Sequence, residues 1–443
     1  MYITRRFYIA IVVLILLIAS GHFVPVLFGI GKVLLFVLLF LTVAEAVALY
    51  AGRRIHASRL CANRFSNGDD NEVRLQLESN YRFPVRLEVI DEAPFVFQRR
   101  DISYRTSLPP RGNQTIVYRL CPTRRGVYNF GHIRVFVSTP LQLVQRRYTQ
   151  GEPQDVAVYP SFLRLRQYEL LAISDNLTEN GSKRIRRIGN QTEFEHIQEY
   201  IAGDDFRTIN WKASARRHQL MVNIYQDEPS QRVYSIIDKG RVMQQAFAGM
   251  TLLDYSINAA LALSFVAIRK QDNAGLITFA QQQDTMVAAD RRSNHMQKLL
   301  EALYSQQTDF SETDFSALCT TVGRHISRRS LLVLFTSFGS LDAMRRQLAY
   351  LRQLSQRHCL LVVFFEDDDL RAFAHPGKEA LAKAGNSTED VYQRTIAEKF
   401  EYEKRLIVST LQQNGIYALL TSPSRLSVAV INKYLELKSR NVL

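Results

Sequence analysis

The chain has 443 residues, 47% hydrophobic and 22% charged, so it is long enough for more than one domain and too apolar to be mainly disordered. Its four cysteines lie far apart without a CxxC pair, which disfavours a disulfide framework or structural zinc and fits a reducing compartment. The net charge of +14 suits an anionic membrane surface or plain solvation. Without a helix-turn-helix or zinc-finger spacing, nucleic acid is not an expected partner.

Two apolar runs open the chain, Phe7 to Val24 and Val33 to Tyr50. Each has about eighteen residues, near the lower limit for crossing a hydrocarbon core of about 30 Å. We predict a transmembrane helical hairpin with a short turn around Pro25, Gly29 and Gly31. A signal peptide is disfavoured because a second apolar segment follows at once.

Basic residues flank the outer ends of these runs, namely Arg5, Arg6, Arg53, Arg54 and Arg59. The connecting turn carries only Lys32, so the positive-inside rule predicts a two-pass protein of the inner membrane with its soluble part in the cytoplasm. Membrane lipids are then expected neighbours. Glu45 lies inside the second run and has two interpretations: a functional intramembrane acid, or a residue near the membrane edge that reaches headgroups or a neighbouring helix.

Residues 60–160 have a different pattern. Apolar and polar side chains alternate with period two in three segments, Val73–Leu77, Val85–Val89 and Ile133–Val137. This alternation is typical of half-buried strands, and proline and glycine interrupt the pattern between them. We predict a small antiparallel β-sandwich of immunoglobulin-like type.

From about residue 228 the pattern becomes an alternation of strands and helices. The predicted strands are Val233–Ile237, Gly275–Phe279, Leu331–Phe335, Leu360–Phe365 and Ile416–Leu420. Short, nearly continuous apolar strands separated by amphipathic helices predict a doubly wound, parallel-dominated sheet covered on both faces. This α/β architecture resembles the von Willebrand factor A domain.

That resemblance implies a metal site beyond the carboxyl ends of the strands, built from an Asp-x-Ser-x-Ser loop, a distant Thr and a distant Asp. Asp238 matches the first ligand and Thr313 matches the threonine. The two serine positions hold Gly240 and Val242, and Ser337 stands in place of the second aspartate.

The expected site is therefore a degenerate remnant. Magnesium requires several oxygen ligands, usually including charged ones, so Asp238 and Thr313 alone would bind it poorly. Asp238 is then expected to cap the following turn or to pair with Lys239 or Arg241. We predict no metal and no cofactor.

A dense string lies in residues 161–227, which otherwise resemble a linker. It reads FEHIQEYIAGDDFRTINWKASARR from Phe194 to Arg217. It strongly resembles the signature of the DUF58 family, whose members also have a membrane hairpin, an RRGVY-like turn (here Arg124 to Tyr128) and an A-like domain. The ending INKYLELKSR, Ile431 to Arg440, is also similar to the family, so the resemblance covers nearly the whole chain.

The signature supplies the candidate interaction motif. Its residues are Glu199, Tyr200, Gly203, Asp204, Asp205, Arg207, Asn210, Trp211, Lys212 and Arg216. One interpretation is a polar network that docks the linker onto the α/β domain with Trp211 as its apolar anchor. The other is a surface that recognises a partner, since Trp and Arg are enriched in binding hot spots.

The family resemblance implies a membrane partner or scaffold for MoxR-type AAA+ ATPases. No Walker A, HExxH, GxSxG or nucleophilic cysteine context is present, so we predict a protein that is not an enzyme. The alternatives are a structural module in cell-envelope assembly or stress response and, less favoured, a metal-dependent enzyme. The predicted domains are residues 1–59 (hairpin), 60–160 (β-sandwich), 161–227 (signature linker) and 228–443 (α/β domain).

Overall fold

The computed structural model describes residues 1–51, 54–97, 103–165, 167–168, 193–201, 204, 206–226, 230–281, 283–308, 310–375, 388–440 and 442. The chain divides into two compact units. The first comprises Met1–Leu165, Gln245–Leu261 and Leu300–Gln306, and the second comprises Arg166–Gln244, Ala262–Leu299 and Gln307–Leu443.

The helices are α1 (Arg5–Ser20), α2 (Pro25–Tyr50), α3 (Trp211–Arg217), α4 (Leu252–Arg269), α5 (His295–Tyr304), α6 (Phe315–His325), α7 (Leu341–Arg357), α8 (Asp368–Ala374), α9 (Thr388–Gln413) and α10 (Leu426–Ser439). The strands of the first unit are β1 (Tyr2–Ile3), β2 (Ile55–Cys61), β3 (Arg64–Ser66), β4 (Asn71–Ser79), β5 (Val85–Asp91), β6 (Ser103–Leu108), β7 (Asn113–Leu120), β8 (Gly126–Phe130), β9 (Ile133–Ser138), β10 (Val144–Gln150), β11 (Gln154–Tyr159), β15 (Ala246–Phe247) and β16 (Met250–Thr251). Those of the second unit are β12 (Glu193–Glu199), β13 (Met221–Gln226), β14 (Arg232–Asp238), β17 (Asn273–Phe279), β18 (Gln283–Asp290), β19 (Leu331–Phe335), β20 (Cys359–Phe365) and β21 (Tyr417–Thr421).

The N-terminal hairpin has its turn earlier than the sequence predicts. Helix α1 ends at Ser20 and α2 already begins at Pro25, so Gly29, Gly31 and Lys32 lie inside α2. The predicted turn was wrong because proline, with its fixed φ and missing N–H, is well suited to the first position of a helix. A Cβ on Gly31 would lie 2.6 Å from Cγ1 of Ile18, so glycine lets the two helices approach closely there.

Two helices within the described part of the chain are long and apolar enough to cross a membrane, α2 and α4. The apolar window of α4 is 78% buried, which identifies α4 as a core helix. Helix α1 is shorter than expected, since its 16 residues span about 24 Å. The long apolar helix near the N-terminus thus suggests a membrane protein.

Antiparallel strands form most of the first unit, as the period-two segments predict. One sheet has the order β1-β10-β9-β5-β6, and two three-stranded sheets have the orders β2-β4-β7 and β3-β11-β8. The inward-facing side chains of all three sheets meet in one apolar core that includes Phe65, Val73, Leu87, Val135 and Val156. Leu49, from the last turn of α2, is fully buried in the same core.

Arg59 is part of this interior and is not a membrane-flanking charge. Only 3% of its side chain is exposed, and its guanidinium pairs with Asp91, which also accepts the hydroxyl hydrogen of Tyr118. The guanidinium also donates to the carbonyl of Gly131 and lies 4.8 Å from the ring centroid of Phe130. Arg59 therefore no longer counts among the basic residues that predict the orientation in the membrane, because the alternation of β2 turns its side chain inward.

The second unit contains the predicted parallel-dominated sheet. Its order is β18-β17-β14-β19-β20-β21, with β18 antiparallel to β17 and the other neighbours parallel. Every residue of β19 and β20 is buried, so both faces are covered. Helices α6, α7 and α9 contribute apolar side chains to the core of one face, including Leu318, Met344, Leu351, Ile407 and Leu411.

The C-terminal helix α10 is fixed by a buried carboxylate. Asp272, which is 1% exposed, accepts hydrogen bonds from the hydroxyl of Tyr434 and, at 2.9 Å, from Nζ of Lys438. Its other oxygen accepts the N–H of Gln231 at 3.0 Å. Tyr434 and Lys438 belong to the family-like ending, so that string has a structural role here.

Candidate interaction surface

The carboxyl edge of the sheet brings Asp238 and Thr313 together, as the A-domain resemblance implies. Oδ1 of Asp238 accepts the hydroxyl of Thr313 at 2.8 Å and the N–H of Gly240 at 2.8 Å. Oδ2 accepts the hydroxyl of Thr336 at 2.7 Å. The prediction that Asp238 caps the following turn is confirmed by the bond from Gly240, and the part played by Thr336 was missed.

Gly240 leaves no room for the serine of a metal-binding loop. A Cβ at this position would lie 2.2 Å from Oγ1 of Thr313 and 3.0 Å from Oδ1 of Asp238. The threonine hydroxyl thus occupies the space that a side chain at position 240 would need. The edge is closed by hydrogen bonds among protein groups.

Burial dominates the electrostatics of this edge. It raises the pKa of the Asp238 carboxyl, while the bonds from Thr336, Gly240 and Thr313 act in the opposite direction. The neighbouring Lys239 is also buried, and its ammonium donates to Asp284 on β18.

The other acids at this edge also serve the local fold. Oδ1 of Asp367 caps α8 by accepting the N–H groups of Asp369 and Leu370 at 3.0 and 3.2 Å. Asp368 and Asp369 lie in the first turn of that helix, where negative charge is favourable. Among the described residues, no group of three or more His, Cys, Asp or Glu side chains could hold a metal ion.

The signature segment forms a β-hairpin of the second unit. Strands β12 and β13 pair antiparallel, and the chain between them forms a short 3-10 helix, Phe206–Thr208, followed by α3. The N–H of Tyr200 donates to the carbonyl of Leu220, and that of Asn210 donates to the carbonyl of Met221, both at 2.8 Å. Within the predicted linker, β12 and β13 thus form a hairpin, and α3 lies between these two strands in the described part of the chain.

Amide, hydroxyl and carboxylate side chains hold this tip together. Oδ1 of Asn210 caps α3 by accepting the N–H of Ala213 at 3.0 Å. The hydroxyl of Ser214 donates to the carbonyl of Asn210 at 2.8 Å and accepts the N–H of Met221 at 2.9 Å. Asp204 accepts the N–H of Ile201 at 3.0 Å. Ser214 was missed in the sequence, although a serine four residues after a capping asparagine is a recognisable local signal.

The large apolar side chains of the tip lie in solvent. Trp211 is 71% exposed, Phe206 70% and Ile201 66%, and Leu220 is also exposed. The ring of Trp211 is thus exposed, whereas the hydroxyl of Ser214 links α3 to β13 through the N–H of Met221. A set of exposed apolar side chains this dense is typical of a binding surface.

Basic side chains lie in the same segment as these apolar groups. Arg207, Lys212 and Arg216 are exposed, and Lys212 and Arg216 are neighbours at i and i+4 on α3. Glu199 is exposed at the end of β12. We call Ile201, Phe206, Arg207, Trp211, Lys212, Arg216 and Leu220 together the signature surface. Two predicted motif residues, Gly203 and Asp205, lie outside the described residues.

The RRGVY-like turn has a structural role in the first unit. Nε of Arg125 pairs with Oδ1 of Asp254 at 2.6 Å, and both side chains are buried. Its other nitrogens donate to the carbonyls of Tyr304 at 3.1 Å and Gln306 at 2.6 Å, as well as to that of Leu303. This guanidinium satisfies carbonyls at the end of α5.

Fold and surface together describe a protein with an apolar N-terminal hairpin, an antiparallel β unit, a parallel-dominated α/β unit and an exposed aromatic and basic tip. Residues 196–405 match the family described as "Protein of unknown function DUF58". The "Uncharacterized protein YeaD" of Bacillus subtilis (strain 168) is 24% identical over 279 residues, 61% of this chain and 68% of that protein. These two matches support the resemblance to DUF58.

Similar solved structures align only weakly. The "conserved hypothetical protein BatB" from Bacteroides thetaiotaomicron is 9% identical with a TM-score of 0.29, covering 48% of this chain and all of that one. The CARDB domain of the PF1109 protein from Pyrococcus furiosus is 13% identical with a TM-score of 0.18, covering 24% of this chain and 88% of that one. Neither carries a conclusion about this protein.

Proposed function

We propose that this chain is a non-enzymatic, membrane-anchored interaction protein whose signature surface binds a partner protein. Helix α2 is the principal anchor, and the soluble units lie in the cytoplasm beneath the inner membrane. The α/β unit is a von Willebrand A-like domain whose metal edge has become a hydrogen-bonded, structural one.

The exposure of Trp211 and Phe206 is the observation that carries this proposal. Each ring would gain roughly 3 kcal/mol of transfer free energy on being covered, before the costs of association are subtracted. Asn210 and Ser214 already fix α3, which carries Trp211, so little conformational entropy of this helix is lost on binding.

The partner we propose is a MoxR-type AAA+ ATPase. This choice comes from the family resemblance of the signature string, and the chemistry of the surface is compatible with it. Exposed Lys212 and Arg216 would pair with an acidic patch, which speeds encounter and fixes orientation.

The experiment is affinity capture of the full chain, solubilised from native membranes, with the ATPase added in purified form. Wild type is expected to retain the ATPase, and the double variant Trp211→Ala, Phe206→Ala is expected to retain at least about ten times less, since hot-spot truncations of 2 kcal/mol or more are typical. The matched control is Phe95→Ala, which removes a ring that is 84% exposed in the first unit. Equal retention by all three proteins would contradict the proposal.

A structural role in envelope assembly is the alternative, and one contact favours it. Leu49 of α2 is buried in the core of the β unit, so this unit packs directly against the hairpin. On this alternative, deleting residues 60–160 abolishes function while the signature surface tolerates change. On the main proposal, the Trp211, Phe206 variant loses function with the β unit intact.

A further inference from the structure

The first unit contacts the start of α1 and the last turns of α2 through neighbouring residues of one segment. Strand β1 pairs antiparallel with β10, and the N–H of Thr4 donates to the carbonyl of Leu143 at 3.2 Å. Oε2 of Glu45 accepts the N–H groups of Leu143 and Val144, each at 3.0 Å. The start of α1 and the Glu45 turn of α2 therefore lie at the same level, fixed by the same residue of the β unit.

The length of α2 shows where a membrane surface would lie. Its 26 residues span about 39 Å, roughly 9 Å more than a hydrocarbon core of about 30 Å. This excess corresponds to the segment from Glu45 to Tyr50, which contacts the β unit: the carbonyl of Leu49 accepts the hydroxyl of Tyr81 at 2.9 Å and Nη1 of Arg146 at 2.7 Å. The hydrocarbon edge thus falls near Glu45, where Arg5 and Arg6 begin α1.

Cations and aromatic rings are present near this end of the hairpin. Arg5 and Arg6 are exposed. The guanidinium of Arg146 lies 4.3 Å from the ring centroid of Tyr50 and 4.6 Å from that of Tyr148. Exposed apolar side chains continue below them along α1, namely Ile9, Val12, Val13 and Leu16. A guanidinium beside two tyrosine rings, and two arginines at the start of a helix with exposed apolar side chains, match a phosphate headgroup and its acyl chains.

We propose that Arg5, Arg6 and Arg146, with Tyr50, bind the headgroup of an anionic phospholipid, whose acyl chains lie along α1. We call these four side chains the arginine collar. Its proposed role rests on the proposed membrane anchoring. The exposed apolar side chains of α1 favour a lipid over free phosphate. The local excess of positive charge favours an anionic headgroup over a zwitterionic one. The Glu45 and Leu49 contacts hold the collar rigidly to the β unit.

The test uses the full chain in nanodiscs of phosphatidylcholine with increasing phosphatidylglycerol, with lipid retained after mild detergent release counted by native mass spectrometry. Wild type is expected to retain phosphatidylglycerol selectively, and Arg5→Ala, Arg6→Ala to bind it roughly 30-fold less tightly, from about 1 kcal/mol for each arginine near the surface. Arg5→Lys, Arg6→Lys keeps the charge and is expected to keep most of the binding. Arg345→Ala, Arg346→Ala, an exposed pair on α7, is the matched control.

Three further results decide between explanations. Equal phosphatidylglycerol retention by wild type and the Arg5, Arg6 alanine variant overturns the collar. Full competition by the water-soluble glycerol phosphate headgroup also overturns it, in favour of a free phosphate site. Alkaline carbonate extraction separates this outcome from a failure of anchoring: both proteins are expected to stay in the membrane pellet, and release of wild type refutes the anchor itself.

Discussion

Hydrogen-bonded polar side chains fix both the carboxyl edge of the sheet and the signature surface. The two sites differ in how much apolar side-chain area they expose to solvent. At the edge, the oxygens of Asp238 accept bonds from Thr313, Thr336 and Gly240, and the carboxylate is 1% exposed. At the tip, Asn210 is equally engaged, yet Trp211 lies in solvent. The edge resembles an ordinary interior, whereas the tip has apolar area available for binding. We therefore interpret the edge as structural and propose the tip as the surface that binds a partner.

Replacement of Asp238 by alanine tests the structural side and has the largest expected effect. It leaves the hydroxyls of Thr313 and Thr336 and the N–H of Gly240 without their acceptor. Loss of buried partners on this scale should lower stability by about 3 kcal/mol or more, measured as the melting temperature of the detergent-solubilised full chain. Asp342→Ala, an exposed acid on α7, is the control and should change little. An unchanged melting temperature for Asp238→Ala would show that the edge is not structural.

Gly240→Ala tests the closed geometry of the edge. Its Cβ would meet Oγ1 of Thr313, so overpacking should lower stability by about 2 kcal/mol. Thr313→Ala removes the obstruction along with one hydrogen bond. The double variant should therefore be less destabilised than the sum of the single changes, with a coupling energy of about 1 kcal/mol or more. Strict additivity would mean that the two side chains do not compete for the same space.

Much of the fold could be predicted because its pattern is local. The buried run Leu331–Phe335 is strand β19 with the same bounds. The pairing of Asp238 with Thr336 could not be predicted in this way, because it depends on the register of parallel strands 98 residues apart. The register Ile237↔Phe335 places the two next residues level with each other. The only signal was that both residues directly follow the ends of predicted strands.

The signature tip was harder to predict, since exposure depends on what already holds the loop. A lone tryptophan among charges is compatible with an anchor or with a binding residue. The bonds of Asn210 and Ser214, which give the tip a second means of fixing its fold, become visible only in the structure. Glu45 was similarly ambiguous, because the N–H groups that donate to its carboxylate, those of Leu143 and Val144, are 98 and 99 residues away in the chain.

The pH dependence of stability tests whether burial controls the titration of Asp238 at the edge. Burial raises the pKa of Asp238 above its value in the unfolded chain, so its favourable contribution is full below the unfolded pKa and is lost as pH rises through the folded one. Between those two values, wild type should lose stability relative to Asp238→Asn by about 1.4 kcal/mol per pH unit. Melting curves of both proteins across mildly acidic pH provide the measurement. A difference independent of pH would show that Asp238 titrates normally.

Two adjacent substitutions test the tip. Asn210→Ala removes the cap of α3 and should lower local stability by about 1 kcal/mol, seen as faster hydrogen exchange between residues 206 and 226. Trp211→Ala should change exchange little, by about 0.5 kcal/mol or less, because exposed side chains add little to stability. If instead Trp211→Ala accelerates exchange as much as Asn210→Ala, the ring anchors the loop and the binding interpretation fails.

Magnesium removal has the smallest expected effect. Since protein donors already occupy the oxygens of Asp238, the cation would have to displace the hydroxyls of Thr313 and Thr336 to reach them. EDTA and excess magnesium should therefore leave the melting temperature unchanged to within about 1 °C, because only a ligand that binds the folded state shifts it. Calorimetric titration of the full chain checks this directly. Tight, stoichiometric uptake that disappears in Asp238→Ala would mean that the edge opens for a cation, and the distinction between a structural edge and a binding tip would no longer hold.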